Sequence, residues 1–80
     1  MNDTQIRDHI ESLIAEEHHL LEHGERAALT PGDAERLRVI EVQLDQFWDL
    51  LRQRRARREM HQNPDDTGLR SPDIVERYRQ

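Results

Sequence analysis

The stretch IEVQLDQFWDLL at residues 40–51 runs directly into RQRRARR at residues 52–58. It holds the only Trp and the only Phe of the chain, then five Arg within seven positions. Ile40, Leu44, Phe47, Trp48 and Leu51 recur at helical spacing. The stretch therefore reads as one long helix. Its first half builds the core, with Leu44, Phe47, Trp48 and Leu51 as core and interface residues, and its last turns carry positive charge. Trp48, beside Leu44 and Leu51, reads as core before it reads as a ligand platform.

Upstream, Thr30, Pro31, Gly32 and Asp33 mark the start of this helix. Thr30 suits the N-cap and Pro31 the first helical position, where no N–H is needed. Val39, Val42 and Leu50 widen the apolar stripe beyond what one neighbouring helix covers. Downstream, Pro64 disfavours helix at Asn63, so the end falls near His61. A first helix starts near Asn2, Asp3 or Thr4 and carries Ile6, Ile10, Leu13, Ile14, Leu20 and Leu21 at helical spacing. Gly24 suits its C-cap, with fraying on through Ala27 and Ala28 as the alternative. The short link makes the two helices antiparallel neighbours. That pairing sets Leu20 near Leu37 and Ile6 near Trp48, and lets the Arg run project past the start of the first helix.

Residues 63–68 form a polar turn, and Ser71, Pro72 and Asp73 repeat the cap-plus-proline signal. Ile74, Val75 and Tyr78 then make one apolar face of a short helix at 72–79. Two turns of helix do not hold alone in water, so the tail is expected to dock in part. The division is a hairpin at 1–61 and a tail at 62–80. Leu, Ile, Val and Phe number only 18 of 80 residues, a thin supply for a chain this short. The expected fold is all-α: a long antiparallel helical hairpin with a short C-terminal helix, dimerising into a four-helix bundle.

The charge is divided. Residues 1–50 hold twelve acids and four Arg, a net of −8, and residues 51–80 hold eight Arg and five acids, a net of +3. That polarity suits an anionic partner at the basic end or head-to-tail attraction between copies. There is no Cys, which removes disulfides, thiolate chemistry and Cys-based zinc sites. The start of the chain lacks the basic and apolar parts of a signal peptide, and no apolar run approaches the ~18 residues of a membrane span. A soluble cytoplasmic protein is the expectation.

At residues 41–56, EVQLDQFWDLLRQRRA, the sequence resembles a family of short, mostly actinobacterial proteins catalogued as domain of unknown function 2630. Glu16, Glu17 and His18, together with Val75, Glu76 and Tyr78, fit the same pattern. The chain departs from it at Phe47, where the family commonly has Cys. The resemblance covers most of the chain and implies one unit, tail included, in a bacterial cytoplasm. It brings no established activity, ligand or partner, so no functional residue is carried over.

Four groups carry candidate chemistry. Arg52, Arg54, Arg55, Arg57 and Arg58 exceed what favourable charge at a helix C-terminus requires. They read as an anion-binding or partner-binding patch, set against a solvated helix end. Nucleic acid is not favoured, because the protein is acidic and no aromatics alternate with the Arg residues. Glu16, His19 and His23 have the spacing of a carboxylate–imidazole metal site, but Glu16 and His19 point off the apolar stripe, so a solvated face is the stronger reading. Glu17 lies on the stripe with Arg38 across the hairpin, and the two are expected to form a buried ion pair. Ile74, Val75 and Tyr78 on the tail are the second candidate contact surface for a partner, beside the Arg-rich helix end. No glycine-rich loop or nucleophile motif supports catalysis. The expected function is a non-enzymatic helical interaction module, without cofactor, that self-associates and presents an Arg-rich helix end. Polyanion binding and a metal site on the first helix are the alternatives.

Overall fold

The computed structural model describes residues 1–78, with side chains as far as Val75. The expectations for Tyr78 as a contact and for helix at residue 79 lie outside them. The fold is all-helical: α1 (Asp3–Arg26) and α2 (Pro31–Glu59) form an antiparallel hairpin, and α3 (Pro72–Tyr78) packs on α2. The molecule measures 50 × 25 × 16 Å, so it is barely more than one helix layer thick in its shortest direction.

Local signals account for the helix limits. Asn2 Oδ1 accepts from the Gln5 N–H at 2.8 Å, and Gln5 Oε1 accepts from the Asn2 N–H at 2.9 Å, a reciprocal capping box. Thr30 Oγ1 accepts from the Asp33 N–H at 3.0 Å, and Pro31 opens α2. Gly24 does not cap α1, which continues to Arg26 and is capped by Ala27. A Cβ on Gly24 would lie 3.0 Å from Leu29 Cγ, so the missing side chain lets Leu29 fold back onto the helix. α2 ends at Glu59, and His61 adopts φ 56° beyond its Met60 cap. The N–H groups of His61 and Gln62 donate to the carbonyls of Arg58 and Arg57. This closes the helix with a left-handed residue where glycine is commoner.

The core is small. Ile6, Ile10 and Leu50 form its buried cluster, with Leu44, Phe47 and Leu51 packed against it, while Ile40 of α2 and Val75 of α3 are buried outside that cluster. The His9 ring stacks on Phe47, with centroids 5.1 Å apart.

Two expectations are corrected here. Trp48 is 46% exposed. α2 turns Phe47 and Leu50 towards α1, which leaves Trp48 on the flank. The Arg run projects past α1 only in its last turn, and the Arg54 and Arg58 side chains reach back to Asp3, the first residue of α1. The helices have 24 and 29 residues, so at about 1.5 Å per residue α2 exceeds α1 by only about 8 Å.

Candidate interaction surface

Two opposite sides of α2 are covered. Towards α1 lie the core residues. On the other side the tail is tied down by polar side chains recurring along α2. Gln46 Nε2 donates to the Arg70 carbonyl at 3.0 Å, and Gln53 Nε2 donates to the Gly68 carbonyl at 2.9 Å and to Asp49 Oδ2 at 2.8 Å. Asp49 is buried and lies 3.5 Å from Arg70 Nε. Val75 of α3 is buried, whereas Ile74 is 41% exposed. The expected partial docking of the tail is thus made through Val75.

Arg54 joins the two sides. It is buried, and its guanidinium donates to Asp3 Oδ1, to Asp65 Oδ1 at 2.9 Å and to the Pro64 carbonyl at 3.1 Å. Arg58 adds a second pair to Asp3 at 3.0 Å. The Arg54 and Arg58 guanidiniums hold the Asp3 carboxyl below its usual range, and the Asp3 and Asp65 carboxylates raise Arg54. A carboxylate stabilised in the folded state contributes stability that is complete above its unfolded pKa, near 4. That contribution is lost as pH falls through the lower folded value. Thermal unfolding from pH 6 to pH 2 is therefore expected to show wild type losing its advantage over Asp3→Asn only below about pH 4. A stability difference independent of pH would contradict this.

The cross-hairpin ion pair forms beside the expected position. Arg36 binds Glu16 through both Nε and Nη2, the latter at 2.7 Å, and lowers the Glu16 pKa. Arg38 instead forks onto Glu35 of its own helix, at 2.7 and 3.1 Å. Both Glu16 and Arg36 are half exposed, so the bond forms on the flank of the hairpin, where two long side chains meet with only partial loss of solvation. This also occupies the carboxylate of the Glu16, His19 and His23 candidate. Among the described residues no three His, Asp or Glu side chains converge as a metal group.

The remaining face of the hairpin is open. Arg7, Ile14 and Leu21 recur every seven residues on α1, and Ala34, Glu41, Trp48 and Arg55 do so on α2, so each set forms one row along its helix. Two clefts place both rows on the same side. One of 310 Å³ is lined by Glu17 and Leu21 with Ala34, Leu37, Arg38 and Glu41. The other, of 260 Å³, is lined by Asp3 and Arg7 with Trp48, Leu51, Arg52, Arg55 and Arg58. Ile14 is 45% exposed and Leu21 49%. The Arg run is thus divided by direction. Arg54 turns under the tail and Arg57 towards Gln62, while Arg52, Arg55 and Arg58 gather beside Trp48. Arg55 also pairs with Glu59 at 3.0 Å, and Arg52 approaches Asp49 at 4.0 Å.

Asp65, Gln46 and Gln53 escaped the reading of the sequence, as did the long-range roles of Asp3, expected only at the start of α1, and of Asp49, expected only to pair with Arg52, which it approaches at 4.0 Å. The spacing of the α2 row Gln46, Asp49 and Gln53 was visible, but polar residues at helical spacing ordinarily mark a solvated face.

Residues 2–80 match the family described as "Protein of unknown function (DUF2630)". Uncharacterised proteins of Mycobacterium bovis and Mycobacterium tuberculosis are each 43% identical over 79 residues, which covers 95% of this chain and 88% of theirs. No solved structure matches. Among the described residues, no helix is long and apolar enough to cross a membrane.

Proposed function

The chain belongs to the family described as "Protein of unknown function (DUF2630)", which lends it no activity, and we propose that it is a non-enzymatic helical interaction module that self-associates through the open face of its hairpin. One observation carries this reading. Ile14, Leu21 and Trp48 stand 45–49% exposed on one face, flanked by the half-buried Leu37, while the side of α2 away from α1 is covered by the tail. Fully burying a side chain of this size is worth about 1.5–3 kcal/mol, so covering the exposed half of all three offers roughly 2–4 kcal/mol per copy to a hairpin with a small core. The 16 Å thickness leaves little room for a water-excluding pocket, which favours a binding role over catalysis. A charge-rich, Cys-free chain suits the cytoplasm.

Light-scattering mass across a concentration series tests the reading. Wild type is expected to dimerise, and Trp48→Ala to weaken the dimer at least tenfold while keeping its helical circular dichroism, because Trp48 contributes little to the monomer core. A wild type that stays monomeric up to the millimolar range would refute self-association. A second reading, capture of a polyanion, draws support from the gathering of Arg7, Arg52, Arg55 and Arg58 at one cleft. It requires binding to heparin or single-stranded nucleic acid that falls steeply with salt.

A further inference from the structure

The open face has a polarity along its length. At the end near the hairpin turn, Glu17 and Glu41 flank the cleft that holds Leu21 and Leu37. At the other end, Arg7, Arg52 and Arg55 flank the cleft beside Trp48. Other charges also meet these clefts. Arg38 lines the first and is bonded to Glu35. Asp3 lines the second and is bonded to Arg54 and Arg58. Each is already matched by a neighbour of opposite sign, so the acidic and basic characters of the two ends remain. Arg55 and Arg52 are 78% and 66% exposed; Arg55 also pairs with Glu59 at 3.0 Å, and Arg52 approaches Asp49 at 4.0 Å. Among the described residues, Arg7 is thus the basic residue of this cleft outside these pairs, and a carboxylate from another copy competes with Glu59 for Arg55 in the open.

Position along α2 relates the two ends. Glu41, Trp48 and Arg55 lie in one row, and Trp48 is midway, roughly 10 Å from either charge along the helix axis. On α1, Ile14 is midway between Arg7 and Leu21 in the matching row. Trp48 is level with the turn of α1 that holds Arg7 and His9, and Ile14 lies about 8 Å nearer the hairpin turn. A two-fold axis crossing the face between them reverses each helix and turns its acidic end towards the partner's basic end.

Resting on the self-association reading above, we propose that the occupant of this face is a second copy of the chain turned end for end. Trp48 packs on the partner's Trp48 near the axis. Glu41 lies between the partner's Arg52 and the partner's Arg55, and Glu17 lies towards the partner's Arg7. The anion that the basic cleft accepts is then the carboxylate of another copy. The same pairing disfavours the alternative in which the copies lie side by side in one direction, since that sets acidic ends against acidic ends and basic against basic.

Charge reversal tests the orientation. Glu41→Arg alone and Arg55→Glu alone each set like charges together twice in the proposed dimer, and each is expected to weaken association at least tenfold. An equimolar mixture pairs Arg at position 41 with Glu at position 55 and is expected to recover the dimer mass near the wild-type concentration. Helical circular dichroism of each variant confirms that it folds. Because the chain has no Cys, Glu41→Cys mixed with Arg55→Cys gives a second measurement, in which oxidation should form a crossed disulfide dimer faster than either variant forms one with itself. If wild type dimerises but both charge variants do so equally well or better and the mixture gains nothing, the end-for-end pairing is overturned while self-association stands. If wild type is monomeric, both fail together.

Discussion

Arg54→Ala is expected to cost about 2–3 kcal/mol of folding stability and to free the tail from the hairpin. Breaking a buried ion pair by removing one partner typically costs about 3–5 kcal/mol. Here the value is set lower because the abandoned groups are not all buried. The Arg54 side chain is 7% exposed, but those of Asp3 and Asp65 are 30% and 73% exposed, and Asp3 keeps Arg58. The remaining loss comes from the Pro64 carbonyl, the Asp65 contact and the packing of the Arg stem. Arg54→Lys preserves the charge but not the fork that reaches three acceptors, and should fall between wild type and Arg54→Ala. Urea unfolding measures the cost. Limited proteolysis at residues 62–71 measures tail release, which should be faster in the variant. A cost below about 0.5 kcal/mol, the range of an ordinary surface substitution, would mean that Arg54 is as dispensable as its exposed neighbours.

The second large effect is expected in the core. Ile6 is fully buried and packs with Ile10 and Leu50. Ile6→Ala removes three carbons from a close-packed site and should destabilise by about 3–4 kcal/mol, with Ile6→Val near 1 kcal/mol. An 80-residue chain has about 4–12 kcal/mol of stability in total, so the alanine variant should lose much of its helical signal at moderate urea concentrations. A cost near 1 kcal/mol would imply that α1 and α2 close over the gap more readily than helices joined by so few core residues are expected to.

The helices and their order were legible in the sequence because their causes are local. Thr30, Pro31 and Asp33 define the start of α2 through bonds no more than three residues apart. The same is true of Asn2 and Gln5 at α1, and of the proline that opens α3. The apolar period separated core from solvent for Ile6, Ile10, Leu44, Phe47 and Leu51.

Long-range partnership was not legible. The choice of Glu16–Arg36 over Glu17–Arg38 depends on how far α1 slides and rotates against α2, and a shift of one residue turns a side chain by about 100°. The exposure of Trp48 has the same origin. Its spacing qualifies it for the core, but the stripe is wider than one helix can cover, and only the packing angle decides which edge is left out. Burial of Arg54 needed three segments far apart in sequence, Asp3, α2 and the turn at Pro64 and Asp65, to be brought to one point. The sequence by itself determined three helices, a hairpin, and which residues were apolar enough to be buried, because caps, prolines and periodicity act over a few residues. Only the tertiary structure decided which Arg residues are consumed inside and which remain on the open face, because that depends on where chain segments tens of residues apart come to rest.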